Sequence, residues 1–470
     1  MTFMPLRTRP LRSGGALVVD DAGAFTAASD ALVARLGRGA QTPADLIALS
    51  RGGHVFDMDD DFSRMAFAYR RAQRLTRAQS LDYLILVPTL RCNLSCTYCQ
   101  VSRVGATQSG FDWSDDTLAG VLRLIDSLPG DFIKIEFQGG EPTLRPDLLR
   151  AVIQRCERFA TRQFVICSNL QSITADLLDI FDRPDVLIST SLDGDAATHG
   201  RNRTKEAAST ATFAKNLERL LARYAPGKLS ALPTVDPTQP PDIDGLIDAY
   251  ASRGLESIFL RPINYQGFAR KRHSDSREQS DAWRTYYEQF VRRIIERNWH
   301  DQSRVLEETY FSICLRRIFR PGRERHVDLR NPNPVGVDYV VIDHDGIVYP
   351  TDEARMLARS GVIDLAIGDV HRGWDTDART ALNYHATNEF DPACQRCAYQ
   401  PFCGRDLVDD IARYGRADVP RLDTAFCRRH LHLFDFIFEL IYSDDDAVQH
   451  SLARWLRLPG TPAALGPRLQ

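Results

Sequence analysis

Cys92, Cys96 and Cys99 stand in the segment TLRCNLSCTYCQ, just beyond the apolar run Tyr83-Leu84-Ile85-Leu86-Val87. The spacing C-x3-C-x2-C puts three soft sulfur donors on one short loop, and soft thiolates suit iron–sulfur clusters. Three thiolates can hold three irons of a [4Fe–4S] cube and leave the fourth open to a small molecule. A zinc site takes four protein ligands, commonly as two paired clips, and a lone trio with a longer first gap fits it poorly. Taken alone, the loop is still compatible with chance, structural zinc or an ordinary cluster. The aromatic Tyr98 beside the last cysteine narrows the choice.

The rest of the chain constrains what surrounds this loop. A length of 470 residues exceeds one ordinary core, so two or three domains are expected. With 43% hydrophobic and 26% charged residues the composition is that of a globular protein. The net charge of −3 offers no basic footprint for nucleic acid. No run of about 18 apolar residues is present, so no membrane span is expected. The N-terminus MTFMPLRTRPLRSGGALVVD lacks an apolar core and does not read as a secretory signal. Ten cysteines in such a chain argue against a disulfide framework and for a reducing cytoplasmic setting.

From 81 to 275 strand-like and helix-like segments alternate. Strands are expected at 83–87, 132–137, 164–167, 186–190, 228–232 and 257–260, with helices such as 115–128 and 145–159 between them. Six strand–helix units imply a parallel sheet and are too few for a closed eight-stranded barrel. A partial (β/α)6 barrel follows, with ligands beyond the carboxyl ends of its strands. Residues 1–80 form an accessory α+β domain with strands at 16–19 and 54–56 and helices at 25–36 and 44–50. It reads either as a winged-helix-like module that grips a leader peptide or as a cap on the barrel. A helical bridge is expected at 276–330 and a domain with a hairpin at Asp345-Gly346 at 331–445. The tail, 446–470, is expected to be loose beyond Leu458.

Several segments together carry a resemblance. The cysteine loop resembles the signature of radical S-adenosylmethionine (SAM) enzymes. FQGGEPTL at 137–144 resembles their SAM-binding glycine motif, and STSLDG at 189–194 with His199 and Arg203 resembles the fourth-strand region of the peptide-modifying branch. The C-terminal cysteines resemble a SPASM cluster domain. TLRCNLSCTYCQVSR, IKIEFQGGEPTL, ISTSLDG and IFLRPINYQGFAR are similar to the B-type radical SAM maturase of the His-Xaa-Ser peptide system. The likeness covers roughly residues 80–430.

The resemblance implies a [4Fe–4S] cluster on Cys92, Cys96 and Cys99, with SAM on its open iron. Gly139 and Gly140 would let backbone approach the methionine moiety. Glu141 would accept from its amino group, and Tyr98 would pack by the adenine. Ser168, Asn169 and Ser191 would reach ribose or carboxylate, and Arg203 would pair the carboxylate. Cys156, Cys167 and Cys314 read as small buried hydrophobes. Cys394, Cys397, Cys403 and Cys427 could bind zinc or one auxiliary [4Fe–4S] cluster, and the resemblance favours the cluster. Leu407 and Thr351 stand where a full SPASM domain has further cysteines, so its inner cluster is expected to be absent. Asp352 is a candidate base, or a solvated turn residue. Arg261 and Gln138, and less strongly Tyr265, are candidates to face the substrate.

The expected activity is reductive cleavage of SAM to a 5′-deoxyadenosyl radical that modifies a ribosomally made precursor peptide, by crosslinking as first choice. A flavodoxin- or ferredoxin-type electron donor and a partner maturase are the expected companions. Two other readings stay open: a sulfatase-type maturase that oxidises Cys or Ser, and a zinc-stabilised binding protein without catalysis.

Overall fold

The computed structural model describes residues 2–3, 5–56, 59–77, 80–278, 281–322, 329–461 and 465–468. The chain opens on an antiparallel sheet of Leu6–Pro10 (β1), Ala16–Asp20 (β2) and Phe25–Ala28 (β3). The expected helix at 25–36 is therefore split. Phe25 pairs with Val19, and Asp30–Gly37 becomes helical only after Ser29 caps it. Tertiary packing decides this, because the Phe25 ring is buried edge-on against Phe319, Phe402 and Phe438 of the C-terminal half. Helices Pro43–Arg51 and Asp61–Arg74 follow. Phe62, Met65 and Tyr69 lie exposed along the second of these.

The body of the protein is a nine-stranded sheet. Tyr83–Leu86 (β4), Phe132–Phe137 (β5), Thr161–Cys167 (β6), Val186–Ser191 (β7) and Leu229–Leu232 (β8) run parallel, in the order β8-β7-β6-β5-β4. The intervening helices include Asp115–Ser127, capped by Ser114, and Pro146–Arg155, which opens on its proline. These lie on one face of the sheet, where Leu84, Leu86, Ile135, Phe137, Phe164, Ile166 and Ile188 are buried against them. Alternate residues point to the other face, and there Lys134, Glu136, Cys167 and Ser189 are only half-buried. Cys156 and Cys314 are the buried apolar thiols expected, but Cys167 is not one. Its sulfur lies 3.6 Å from a Glu136 oxygen on this polar face.

Five of the six expected strands share the sheet. The sixth segment is shortened to Ser257–Ile258 (β9) and pairs in parallel with Glu307–Glu308 (β10) instead. The other edge of β4 is taken by Tyr339–Ile342 (β11), parallel to it, and the sheet continues antiparallel through Ile347–Tyr349 (β12), Gly368–Asp369 (β13) and Gly373–Trp374 (β14). The expected hairpin thus forms, with Gly346 at φ +84° closing the turn. One continuous sheet joins the barrel to the C-terminal region. Described parts of the tail are docked, since Pro467 accepts from the backbone of Ala27 and from the Tyr442 hydroxyl. No helix among the described residues is long and apolar enough to cross a membrane.

Glu308 locks β9 to the neighbouring helices. Its fully buried carboxylate accepts from the backbone of Leu260 (3.1 Å) and Phe311 (2.6 Å) and from the Tyr287 hydroxyl (2.6 Å). Burial outweighs these donors and pushes its pKa up to about 7 from the ordinary 4.5. The folded state therefore holds this proton more tightly than the unfolded chain. Its contribution is complete below about pH 4.5 and is lost as pH rises through 7, up to about 3 kcal/mol in all. Wild type is expected to lose that much stability between pH 4.5 and 8 relative to Glu308→Gln in parallel denaturant titrations. An identical pH dependence of the two proteins would refute it.

Candidate functional site

The cysteine loop leaves the carboxyl end of β4 and is held from three sides. On the first side is the turn after β5. The backbone amide of Gly140 donates to the Thr89 carbonyl (2.9 Å) and that of Glu141 to the Arg91 carbonyl (2.8 Å). A Cβ on Gly139 would lie 2.4 Å from the Thr89 oxygen, and one on Gly140 would lie 2.3 Å from the Arg91 oxygen. Gly139 also has φ +128°. The close approach these glycines permit within the chain is to the cysteine loop's own backbone.

On the second side Asp112 gathers four donors from three residues. Its carboxylate accepts from the Thr89 hydroxyl (2.5 Å), from Arg91 Nε (2.8 Å) and Nη2 (2.6 Å), and from Arg145 Nη1 (2.9 Å). Burial acts against its charge, but Arg91, Thr89 and Arg145 outweigh that and hold its pKa below the usual carboxylate range. No sequence motif marks Asp112. Its importance comes from the Thr89–Asp112 bridge that brings it under the loop.

On the third side stand the ends of β6 and β7. Glu141 is buried, and its carboxylate accepts from the Thr143 hydroxyl (2.6 Å), the Asn169 amide (2.7 Å) and the Ser168 side chain. Asn169 Nδ2 in turn donates to Asn93 Oδ1 (2.7 Å) and reaches the Cys92 sulfur at 3.7 Å. Tyr98 donates to Asp193 (2.5 Å) and accepts from Arg203 Nη1 (2.8 Å). Asn202 donates its side-chain amide to Asp193 and offers its carbonyl to the Thr97 amide. Burial works against the Arg203 charge, but Tyr98, Cys96 and Asp193 more than offset it and raise its pKa. Ser191 sits half-buried at the end of β7, in register with Leu232. The structure thus brings Cys92, Cys96, Tyr98, Gly139, Gly140, Glu141, Ser168, Asn169 and Arg203 around one loop. It adds Asp112, Asn93 and Asp193, which the sequence did not single out.

The second cysteine group is built on short helices. Asp391 caps the turn carrying Cys394, Cys397 follows it, and Cys403 donates its amide to the Tyr399 carbonyl. Cys427 lies in the first turn of Ala425–Ile441, its amide on the Thr424 hydroxyl (3.1 Å). Arg421, 3% exposed and ion-paired with Asp410 (2.8 Å), is near enough to Cys394, Cys403 and Cys427 for its charge to act on them. Thr351 caps the helix Asp352–Arg359, and Leu407 is buried as the first residue of Leu407–Tyr414. Both positions without cysteine therefore carry ordinary structural duties.

The donor sets, three thiols on the loop and four in the second group, are soft ligands of the kind that suit iron–sulfur clusters. Among the described residues no three cysteine sulfurs lie within 4.8 Å of one another. Burial pushes the thiols of Cys92 and Cys394 up to about 12 and that of Cys427 to about 11. These are not pre-formed nucleophiles. Their ionisation would need a bound metal to drive it.

The substrate-side candidates are spread out. Gln138 donates to Glu136 (2.6 Å), which also accepts from the Tyr83 hydroxyl (2.5 Å). Asp352 is gripped by Nε and Nη2 of the fully buried Arg355, at 2.8 and 2.7 Å. Arg261 is exposed, with its guanidinium 5.0 Å from the Phe259 ring centre. Tyr265 is buried beneath Arg270 and Arg413.

Part of this chain is shared with known proteins. The model of the Radical SAM superfamily matches residues 86–249. Uncharacterized protein MJ0907 of Methanocaldococcus jannaschii is 28% identical over 117 residues, 24% of this chain and 39% of that protein. This chain therefore spans about two fifths of that relative's length. The cysteine-type anaerobic sulfatase-maturating enzyme of Clostridium novyi is 24% identical over 354 residues, 69% of this chain and 87% of the relative. Among solved structures, native anSMEcpe with bound AdoMet and Cp18Cys peptide superposes with a TM-score of 0.58 at 17% identity, covering 76% of this chain and 96% of that one. That likeness is one of fold. The chain carries a radical SAM domain and the core of a radical SAM enzyme, in an α/β architecture like that of anSMEcpe.

Proposed function

We propose that this chain is a radical SAM maturase of a ribosomally made peptide, acting by crosslinking on a precursor of His-Xaa-Ser type. The observation that carries the reading is the convergence of Asn169 on Cys92 and of the Tyr98–Arg203 pair on Cys96, both at one loop. Cys92, Cys96 and Cys99 would hold a [4Fe–4S] cluster able to supply the electron that splits SAM into methionine and a 5′-deoxyadenosyl radical. The radical would take one hydrogen atom from the peptide, while the second hydrogen of a crosslink would leave as a proton with its electron passing to the auxiliary cluster.

This chain's own residues set the stage for that chemistry. The Gly139–Glu141 turn and Asp112 fix the loop, so the three sulfurs keep their places. Arg203 supplies a fixed cation for a carboxylate near Cys96. Asn169 orients the Cys92 sulfur. An auxiliary [4Fe–4S] cluster would sit on Cys394, Cys397, Cys403 and Cys427, with Arg421 offsetting its negative charge. Arg355, while holding Asp352, also reaches the Val101 carbonyl at 3.5 Å. We read Asp352 as an anion placed to steady the loop beyond Cys99 as well as a candidate base. A cytoplasmic setting, a flavodoxin- or ferredoxin-type donor and a partner maturase complete the reading.

The likeness to a sulfatase-maturating enzyme along 354 residues supports a second reading, oxidation of Cys or Ser on a protein. Thr351 and Leu407 speak against it, because each replaces an inner-cluster ligand of that class. Co-expression with a short His/Ser-patterned peptide encoded beside it separates the two. The first reading expects a loss of two mass units with a new side-chain bond. A formylglycine on a protein would favour the second, and an unmodified peptide would refute the first.

A further inference from the structure

Beyond β9 the segment Arg261–Pro262 pairs in parallel with Thr234–Val235 and, with the helix Asp281–His300 and the C-terminal helices, lines a cavity of about 120 Å³. That is room for on the order of ten waters, or for a side chain and part of a backbone. Gln100, next after Cys99, forms part of its wall, so the cavity opens beside the cluster loop. A Cβ on Gly267 would lie 2.1 Å from the Gln100 oxygen, so the two segments are pressed together.

Almost every charged group in the lining is committed to a neighbour. Asp409 accepts from Arg413 (2.8 Å) and from Gln266 (2.9 Å), and Asp406 accepts from the Asp409 amide. Arg284 pairs with Asp281 and His432 with Glu288. Glu353 and Arg429 have partners of their own. Arg261 differs. It is exposed, its guanidinium lies 5.0 Å from the Phe259 ring centre, and that side chain makes no hydrogen bond or ion pair among the described residues, although its backbone pairs with Thr234.

We infer that this cavity receives a carboxylate-bearing residue of the peptide substrate and that Arg261 is its anchor. The inference rests on the proposed maturase function and deepens it by naming a substrate class. A guanidinium presents parallel N–H donors that match a carboxylate in a two-point grip. The Phe259 ring limits where the guanidinium plane can lie. The walls formed by Trp283, Tyr287 and Tyr310 suit the aliphatic stem of an acidic side chain. A neutral amide of the same shape would leave the cation uncompensated.

The test is anaerobic calorimetric titration of the cluster-loaded protein with three short peptides. One has an internal Asp and an amidated end, one has Asn and an amidated end, and one has Asn and a free C-terminal carboxylate. At least tenfold tighter binding of a carboxylate peptide over the neutral one is expected, and the two acidic arms tell side chain from chain end. Arg261→Gln should abolish the preference and Arg261→Lys should keep part of it, with the thermal midpoint reporting that each variant is folded. Equal binding of acid and amide, a preference that survives Arg261→Gln, or no saturable binding of any peptide in the millimolar range would overturn the inference. Absence of SAM cleavage in a separate assay would instead strike the maturase reading and leave the binding result standing.

Discussion

Cys96→Ala is expected to reduce 5′-deoxyadenosine formation from SAM to background, a loss of at least ~10³-fold, or about 4 kcal/mol in barrier terms. The reason is that the loop provides only three sulfurs, so losing one leaves two protein ligands for the cube. Bound iron should fall from about eight to about four per chain, because the auxiliary site is built from other elements. Cys403→Ala should show the converse pattern: about four irons lost, with SAM cleavage in the absence of peptide retained. Cys314→Ala is the structural control. That thiol is buried in the apolar core, and its removal should cost stability by roughly 1–3 kcal/mol while iron content stays intact. Iron and sulfide analysis with anaerobic chromatography of the nucleoside reads all three variants. Full SAM cleavage by Cys96→Ala would remove the basis of the proposed function.

How far the sequence reached can be judged residue by residue. Strand–helix alternation located the five parallel strands because their apolar runs are bounded by caps and turns that act locally. Ser114, Pro146 and Gly346 were legible for that reason. The split at Phe25–Ala28 was not, since the ring's burial against Phe319, Phe402 and Phe438 depends on residues hundreds of positions away. The same limit hid Asp112 and Asp193. A lone Asp carries no signal until the fold brings Arg91, Thr89 and Arg145, or Tyr98 and Asn202, to it. Cys167 falls on the polar face because side chains alternate along a parallel strand, a period that its apolar neighbours mask in the sequence. The pairing of β4 with β11 could not be read at all, for nothing local marks which edge a distant strand will take.

The glycine motif yields the second large effect. Gly140→Ala would place a methyl group 2.3 Å from the Arg91 oxygen and 2.5 Å from the Leu90 oxygen. Both are backbone atoms of the segment that carries Cys92, so no side chain can swing aside. The backbone would have to separate, breaking the bonds from Gly140 to Thr89 and from Glu141 to Arg91 at roughly 1 kcal/mol each. Overpacking adds about 1–3 kcal/mol, for a total of about 3–5 kcal/mol. The displacement would also pull Glu141 from Asn169 and so loosen the amide that meets Cys92. The variant should therefore lose iron at the first site, and with it SAM binding, while keeping the auxiliary cluster. Gly130→Ala separates this from a general glycine effect. Gly130 has φ +88° but nothing within 4 Å of its Cβ position, so only about 1 kcal/mol of backbone strain is expected and no iron should be lost. If Gly140→Ala kept its full iron and bound SAM as tightly as wild type, the turn would not be what clamps the cysteine loop.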